Sequence, residues 1–435
     1  MSNLAELKKK IETRTAVCAV IGLGYVGLPL AVELALAGFN VVGIDNDPSK
    51  AARVLEGESY IPDVPSDVLK KVTESGAFSA TVDFSVLSDC DTVNICVPTP
   101  LNKTRDPDIS FIVDSLEGIK PHVHSGMMII LESTTYPGTT DEIVVPAVTG
   151  TDLKLGKDIF VAFSPERVDP GNPTFNTRNI PKVVGGATSK CTEVAVLFYR
   201  QFLEKVFPVS TTAVAEMVKI HENTFRSVNI GLVNELALMC DRLEIDVWEV
   251  IEGASTKPFG FLPFYPGPGL GGHCIPIDPY YLSWKARSVG FEARFIELAG
   301  QVNSFMPTHV VSRAVDALND VGKALKGARI VILGVAYKKN IDDLRESPAL
   351  DIMNRLSDKG VQLSFSDPYI PTLDIGERSF TAVEATPDLL QMADLVIIVT
   401  DHDLFNYDMI VSNAPLILDT RNALKGKNGP KIWRI

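Results

Sequence analysis

Short apolar runs alternating with stretches of helical periodicity set the architecture that this chain predicts. Strand-length runs occur at residues 17–21, 41–44, 92–96, 128–132, 159–163 and 182–185. Their alternation with helical stretches is the pattern of a parallel α/β sheet, and it predicts a first domain over residues 1–205. From Thr212 to Leu243 apolar residues then recur at three- and four-residue spacing, with no Pro and no Gly before Gly231. One long helix is predicted there. Its second face needs a partner, which predicts homodimerisation. A further α/β unit opens at residues 329–335, continues through 363–368 and 394–400, and reaches 416–419.

Composition narrows the classes. A chain of 435 residues exceeds the reach of one core and implies two or three domains. Lys+Arg number 41 against Asp+Glu 54, a net charge of −13, which speaks against a nucleic-acid or anionic-membrane partner. An anionic ligand must therefore meet a local cluster of Lys and Arg. The segment before Ala16 is polar, and the apolar run after it is strand-length, so neither a signal peptide nor a membrane span is expected. The cysteines (Cys18, Cys90, Cys96, Cys191, Cys240, Cys274) show neither CxxC pairing nor zinc-ligand spacing, so no metal site is expected and a reducing cytoplasm fits best.

Chemistry is concentrated where predicted strands end. Gly22-Leu23-Gly24-Tyr25-Val26-Gly27 follows a strand and opens a helix, the context a dinucleotide fingerprint requires. Gly22 suits the tight turn, Gly24 the approach of backbone N–H groups to a pyrophosphate, and Gly27 close helix packing. Asp45 ends the second strand, where a carboxylate bonds ribose hydroxyls and repels a 2′-phosphate, so NAD is favoured over NADP. Pro98 and Thr99, and the run Ser133-Thr134-Thr135-Tyr136-Pro137-Gly138-Thr139, also follow strands; they fit either ligand contacts or ordinary turns.

Ser164-Pro165-Glu166-Arg167 offers Glu166 as a base, although a Glu beside an Arg more often forms a salt bridge. On the long helix Glu216, Lys219 and Asn223 share one face. Lys219 and Asn223, one turn apart, make a cation and an amide aimed at one point, as a developing oxyanion needs. A solvated Glu–Lys pair is the bland alternative. Residues 257–269, with Lys257, Phe261, Leu262 and Tyr265, read as an ordered irregular loop able to wrap a polar ligand. It leads into Gly271-Gly272-His273-Cys274-Ile275-Pro276-Ile277 and Asp278. Cys274 stands among glycines rather than in a helical or strand period, which suggests a nucleophile; the other five cysteines read as core.

These motifs, taken with Tyr337-Lys338-Lys339-Asn340-Ile341-Asp342-Asp343-Leu344-Arg345-Glu346-Ser347-Pro348, resemble the UDP-glucose/GDP-mannose dehydrogenase family along nearly the whole chain. The resemblance implies an α/β fold of two Rossmann-like parallel-sheet domains joined by a long central helix. It divides the chain into an NAD-binding domain over 1–205, a helical dimerisation domain with the cysteine loop over 206–315, and a UDP-binding domain over 316–435. It implies a four-electron oxidation of a nucleotide-sugar C6 alcohol with NAD as cofactor.

Cys274 then matches the family's nucleophile, Lys219 and Asn223 its oxyanion stabilisers, Asp278 and Thr134 its water- or base-supporting groups, and Glu166 a glutamate near the thioester. Gly22, Gly24, Tyr25, Val26, Gly27, Asp45, Pro98, Thr99, Ser133, Thr134 and Arg345 fall on the cofactor side. Glu166, Arg167, Lys219, Asn223, Lys257, Phe261, Leu262, Tyr265, Gly271, Lys338 and Arg421 fall on the UDP-sugar side. His273 and Ile275-Pro276-Ile277 depart from the UDP-glucose enzymes, and Asp169-Pro170 stands near a second family glutamate. The cysteine loop looks most like bacterial UDP-N-acetylglucosamine 6-dehydrogenases of O-antigen assembly, with UDP-N-acetylmannosamine or UDP-glucose as alternative substrates. A two-electron dehydrogenase of a 3-hydroxy acid would leave Cys274 and the C-terminal domain unexplained, and a non-catalytic NAD-binding sensor would have no need of Lys219, Asn223 and Cys274 together.

Overall fold

The structure is a computed structural model, describing residues 2–102, 106–150, 152–169, 172, 174–272 and 274–435. His273 and Pro170 lie outside the described residues. The chain divides into two compact units, Met1–Glu222 with Tyr280–Phe291, and Asn223–Pro279 with Glu292–Ile435.

In the first unit the strands are β1 (Val17–Ile21), β2 (Asn40–Ile44), β3 (Phe78–Thr81), β4 (Thr92–Ile95), β5 (Met128–Leu131), β6 (Phe160–Phe163), β7 (Lys182–Gly186) and β8 (Val206–Val209). They form one sheet in the order β3-β2-β1-β4-β5-β6-β7-β8. Pairing is parallel except between β6 and β7, where Phe163 lies opposite Gly185. β4, β5 and β6 are buried at every position, because a parallel sheet covered on both faces has no wet side. Ile21 is level with both Ile44 and Ile95. Strand order reverses between β1 and β4, so the loops leaving them diverge and open a crevice at the carboxyl edge. β3 and β8 escaped the sequence reading because they are edge strands; β8 even carries Pro208 and an exposed Phe207.

The second unit holds β9 (Arg329–Leu333), β10 (Gln362–Ser366), the hairpin β11 (Thr372–Ile375) and β12 (Arg378–Thr381), β13 (Leu395–Ile398), β14 (Ile417–Asp419) and β15 (Ile432–Arg434). Its main sheet is parallel, in the order β10-β9-β13-β14-β15. The long helix runs from Thr212 to Leu243 as expected. A second one, Arg294–Asp320, was not identified from the sequence. Within this unit the two helices touch at Gly231, where a Cβ would lie 3.0 Å from Ala299 Cβ, which accounts for a glycine inside a helix.

One polar network holds this helix pair to the irregular loop. Asn234 Nδ2 donates to Asn303 Oδ1 at 2.8 Å, Asn303 Nδ2 to the Ser227 carbonyl at 3.1 Å, and the Gly267 N–H to Asn234 Oδ1 at 3.0 Å. Both asparagines are buried, so each amide depends on the other. We predict that Asn303→Ala, which strips Asn234 of its acceptor, lowers stability by about 1–3 kcal/mol. Denaturant unfolding checks this, and an unshifted midpoint would contradict it.

Candidate active site

The loop after β1 is built for a close-lying ligand. Gly22 has φ +87°, and a Cβ there would lie 2.6 Å from the Cys96 carbonyl oxygen. A Cβ on Gly27 would meet the Gly22 oxygen at 1.8 Å, whereas one on Gly24 would meet nothing within 4 Å. Turn, helix packing and open approach thus fall to the three glycines as expected. Val26 is the N-cap of helix Gly27–Leu36 and supplies no side-chain cap; Pro29 has no N–H and the Leu28 N–H donates to the Gly24 carbonyl at 3.1 Å, so an anion would meet the amides of the loop and of Gly27. Open space at Gly24 and an uncapped helix N-terminus fit a pyrophosphate. Tyr25 and Val26 are half-buried beside them.

The loop is fixed through one peptide. Leu23 N–H donates to Asp45 Oδ2 at 2.8 Å, and the Tyr60 hydroxyl donates to the Leu23 carbonyl at 2.7 Å. Asp45 also meets Lys50 Nζ at 3.2 Å, a cation the sequence reading passed over. Tyr60 was missed as well, since nothing in its local spacing marks it. At the end of β5 the Ser133 hydroxyl donates to the Val97 carbonyl at 2.8 Å, and Thr135 pairs with Thr139 at 2.8 Å. Thr134 is half-buried between them. Pro98 is exposed, and the Thr99 carbonyl accepts the Tyr281 hydroxyl at 2.6 Å.

Glu166 does not form the expected salt bridge with the side chain of its neighbour Arg167, which pairs with Glu222. Glu166 Oε1 accepts the N–H groups of Arg167 (2.7 Å) and Val168 (2.8 Å), and its Oε2 faces Lys182 Nζ at 3.2 Å. Burial pushes this carboxyl up, but Lys182 and the two amides outweigh it and hold it below the usual glutamate range. Arg167 turns instead to Glu222, at 2.5 and 3.2 Å. Glu216 is not part of a solvated Glu–Lys pair: fully buried, it accepts the N–H groups of Gly138 at 2.5 Å and Thr140 at 2.8 Å. Lys219, one turn on, is also buried.

In the second unit Asn223 Nδ2 donates to Asp278 Oδ2 at 2.5 Å, and both side chains are buried. Asp278 thereby fixes the amide that shares a helix face with Lys219. Cys274 is half-buried, whereas the other five cysteines are buried, as the sequence suggested. The Asp278 N–H donates to the Cys274 carbonyl at 2.8 Å, so Cys274 stands at the mouth of helix Asp278–Ser288, where negative charge is favoured. Gly272 has φ +83°, and a Cβ on Gly271 would lie 2.6 Å from Tyr337 Cβ. The cysteine loop is therefore pressed against the segment that carries Lys338, which is half-buried.

In the preceding loop Lys257, Phe261, Leu262 and Tyr265 are exposed, and Tyr265 stacks on Trp248 at 6.2 Å. Arg421 Nε donates to the Val399 carbonyl at 3.0 Å, and its Nη1 lies 2.8 Å from where a Gly267 Cβ would stand. This places its guanidinium at the carboxyl end of β13, beside the loop. Arg345 is engaged by Asp343 at 2.6 Å.

Comparison with known proteins agrees across the chain. Residues 16–203, 213–304 and 331–426 match the NAD binding, central and UDP binding domains of the UDP-glucose/GDP-mannose dehydrogenase family. The UDP-N-acetyl-D-glucosamine 6-dehydrogenase of Pseudomonas aeruginosa is 37% identical over 82% of this chain and 83% of its own. The UDP-N-acetyl-D-mannosamine dehydrogenase of Methanocaldococcus jannaschii is 36% identical over 95% of each. A solved UDP-D-ManNAc dehydrogenase from Pyrococcus horikoshii superposes with a TM-score of 0.87 at 33% identity, covering 96% of this chain and 99% of that one. With three family domains in order and relatives matched over most of its length, this chain belongs to the UDP-glucose/GDP-mannose dehydrogenase family, the NAD-dependent dehydrogenases of nucleotide sugars.

Proposed function

We propose that the chain oxidises C6 of UDP-N-acetylglucosamine to the uronic acid through a covalent adduct on Cys274. The observation that carries this reading is the half-exposed thiol in a glycine loop, four residues before an Asp278 that is bonded to Asn223. Residues 1–205, 206–315 and 316–435 serve as NAD-binding, dimerisation and UDP-binding domains. Gly22, Gly24 and Gly27 cradle the pyrophosphate of NAD, and Asp45 takes the ribose. Lys338 and Arg421 hold the UDP portion, and residues 257–271 wrap the sugar.

NAD, when bound, accepts the hydride at each of the two oxidations. Lys219, directly or through a water, takes the proton of the C6 hydroxyl. The Cys274 thiolate adds to the aldehyde carbon, and the resulting oxyanion rests on Lys219 and the Asn223 amide that Asp278 orients. Once the second hydride has left, C6 is a thioester. Water supported by Thr134 and Asp278 adds to it, a proton passes to Glu166, and the C–S bond breaks to return the thiolate and release the acid. Losing either oxyanion donor typically costs about 10²–10³ in rate.

A second reading is the same reaction on UDP-N-acetylmannosamine, which the similarity to dehydrogenases of that name supports. Among the described residues no helix is long and apolar enough to cross a membrane, and we place the enzyme in the cytoplasm, supplying O-antigen or similar polysaccharide assembly.

Incubation with NAD and a panel of UDP-sugars tests the reaction. We expect two NADH per sugar, and kcat/KM for UDP-N-acetylglucosamine about ten-fold or more above UDP-glucose, because a pocket pairing the acetamido amide leaves polar groups unmet by glucose. One NADH with free aldehyde would sink the mechanism, and preference for UDP-N-acetylmannosamine would select the second reading. Asp45→Ala is expected to reduce the NAD-to-NADP preference roughly ten-fold in kcat/KM; an unchanged ratio would remove Asp45 from cofactor choice.

The dimer reading rests on the long helix, where Phe225, Leu232, Met239 and Leu243 share one face with 43%, 60%, 47% and 65% exposure. Sedimentation should show a dimer that Leu232→Asp dissociates. A monomeric wild type, or a dimer indifferent to the change, would refute this interface.

A further inference from the structure

Behind Glu166 lies a chain of buried charges that the mechanism above does not use. Lys182 opens β7 with its side chain 2% exposed, and its ammonium sits 2.6 Å from Glu132 Oε2 and 3.2 Å from Glu166 Oε2. Glu132 is saturated: its other oxygen accepts the Tyr199 hydroxyl at 2.6 Å and Asn94 Nδ2 at 2.7 Å. Side-chain exposure rises outward, from 0% at Glu132 through 2% at Lys182 to 11% at Glu166. Only Glu166 reaches solvent.

We propose that Lys182 is a positioning residue for the hydrolytic step, holding Glu166 ionised and oriented so that one carboxylate oxygen is presented to water. An isolated carboxylate this deeply set would take up a proton at neutral pH. Lys182 prevents this by charge, and Glu132 keeps Lys182 charged in turn. Beyond the Arg167 and Val168 N–H groups that bond Glu166 Oε1, the neighbours facing the group supply no second cation. Asn94 is neutral, and burial pushes the Cys96 thiol on the β4 side and the Tyr199 phenol of helix Ser189–Tyr199 well above their ordinary values. Arg167 is committed to Glu222. One ammonium between two carboxylates leaves a single net negative charge, carried at the wet end.

The inference rests on the reading of Glu166 as the group that takes the water's proton, and the test separates the two. The decay of the Cys274 thioester is followed in single turnovers by quench and intact mass, from about pH 6 to pH 8. In the wild type Glu166 is ionised throughout, so decay shows no acid limb set by Glu166 in this window. In Lys182→Met Glu166 keeps its two amide donors but loses the ammonium, so its pKa rises and decay acquires an acid limb inside the window; buried carboxyls can titrate as high as about 8–9. Lys182→Arg restores the flat profile. If Lys182→Met does not fold, Glu132→Gln with Lys182→Met removes one charge of each sign and carries the same expectation. Glu166→Gln runs in parallel: normal thioester decay there would overturn the reading of Glu166 itself. Slow decay in Glu166→Gln with a flat profile in Lys182→Met would overturn the role of Lys182 alone.

Discussion

Buried carboxylates that accept backbone N–H groups hold the loops on which the proposed chemistry depends. A strand of a parallel sheet ends in a loop whose amides have lost the ladder, and a buried unpaired N–H is costly. Asp45 takes the Leu23 amide, Glu166 those of Arg167 and Val168, and Glu216 those of Gly138 and Thr140. The second unit repeats the device. Asp367 Oδ2 accepts Val335 at 2.7 Å and Ala336 at 3.2 Å, and Asp419 accepts Arg421, Ala423 and Leu424 at 2.8–3.1 Å. Charge-assisted bonds are the stronger kind, so one side chain fixes a turn and leaves the remaining groups of that turn for a ligand.

The same device serves different ends in the two sheets. In the first, Asp45 steadies a loop whose Gly24 faces open space. In the second, a Cβ on Gly334 would lie 2.2 Å from the Thr400 carbonyl, so that turn is closed by packing rather than left open for a pyrophosphate. There Asp367 also accepts His402 Nε2 at 3.0 Å, while His402 Nδ1 accepts the Asn340 N–H at 2.9 Å. The histidine thus pins the segment that carries Lys338. In the function proposed above, one unit presents backbone to its ligand and the other presents cations.

The sequence showed plainly whatever had a period or a punctuating glycine. Uniformly apolar runs gave the inner strands, helical spacing gave Thr212–Leu243, and the spacing of Gly22, Gly24 and Gly27 gave the dinucleotide crevice. Edge strands stayed hidden, because β3 and β8 are half-exposed and lack a clean apolar run. Pairing partners stayed hidden too. Glu166 and Lys182 are sixteen residues apart and meet only because β6 and β7 lie side by side, and the Glu–Arg adjacency in the sequence pointed elsewhere. Helical spacing places Glu216 on one face with Lys219 and Asn223, but the Gly138 and Thr140 amides that it accepts were not legible. Charged side chains carry no periodic signature of the amide they will cap, which is why the glycines were legible and the groups steadying them were not.

The central claim is that Cys274 carries the sugar as a thioester between oxidation and release. Mixing the enzyme with NAD and UDP-N-acetylglucosamine, quenching in acid during the first turnover and measuring intact mass tests it most directly. The account predicts an acyl-sugar adduct that maps to the peptide bearing Cys274 and is released by hydroxylamine. NADH formation with no adduct at any time, or an adduct on another residue, would contradict it.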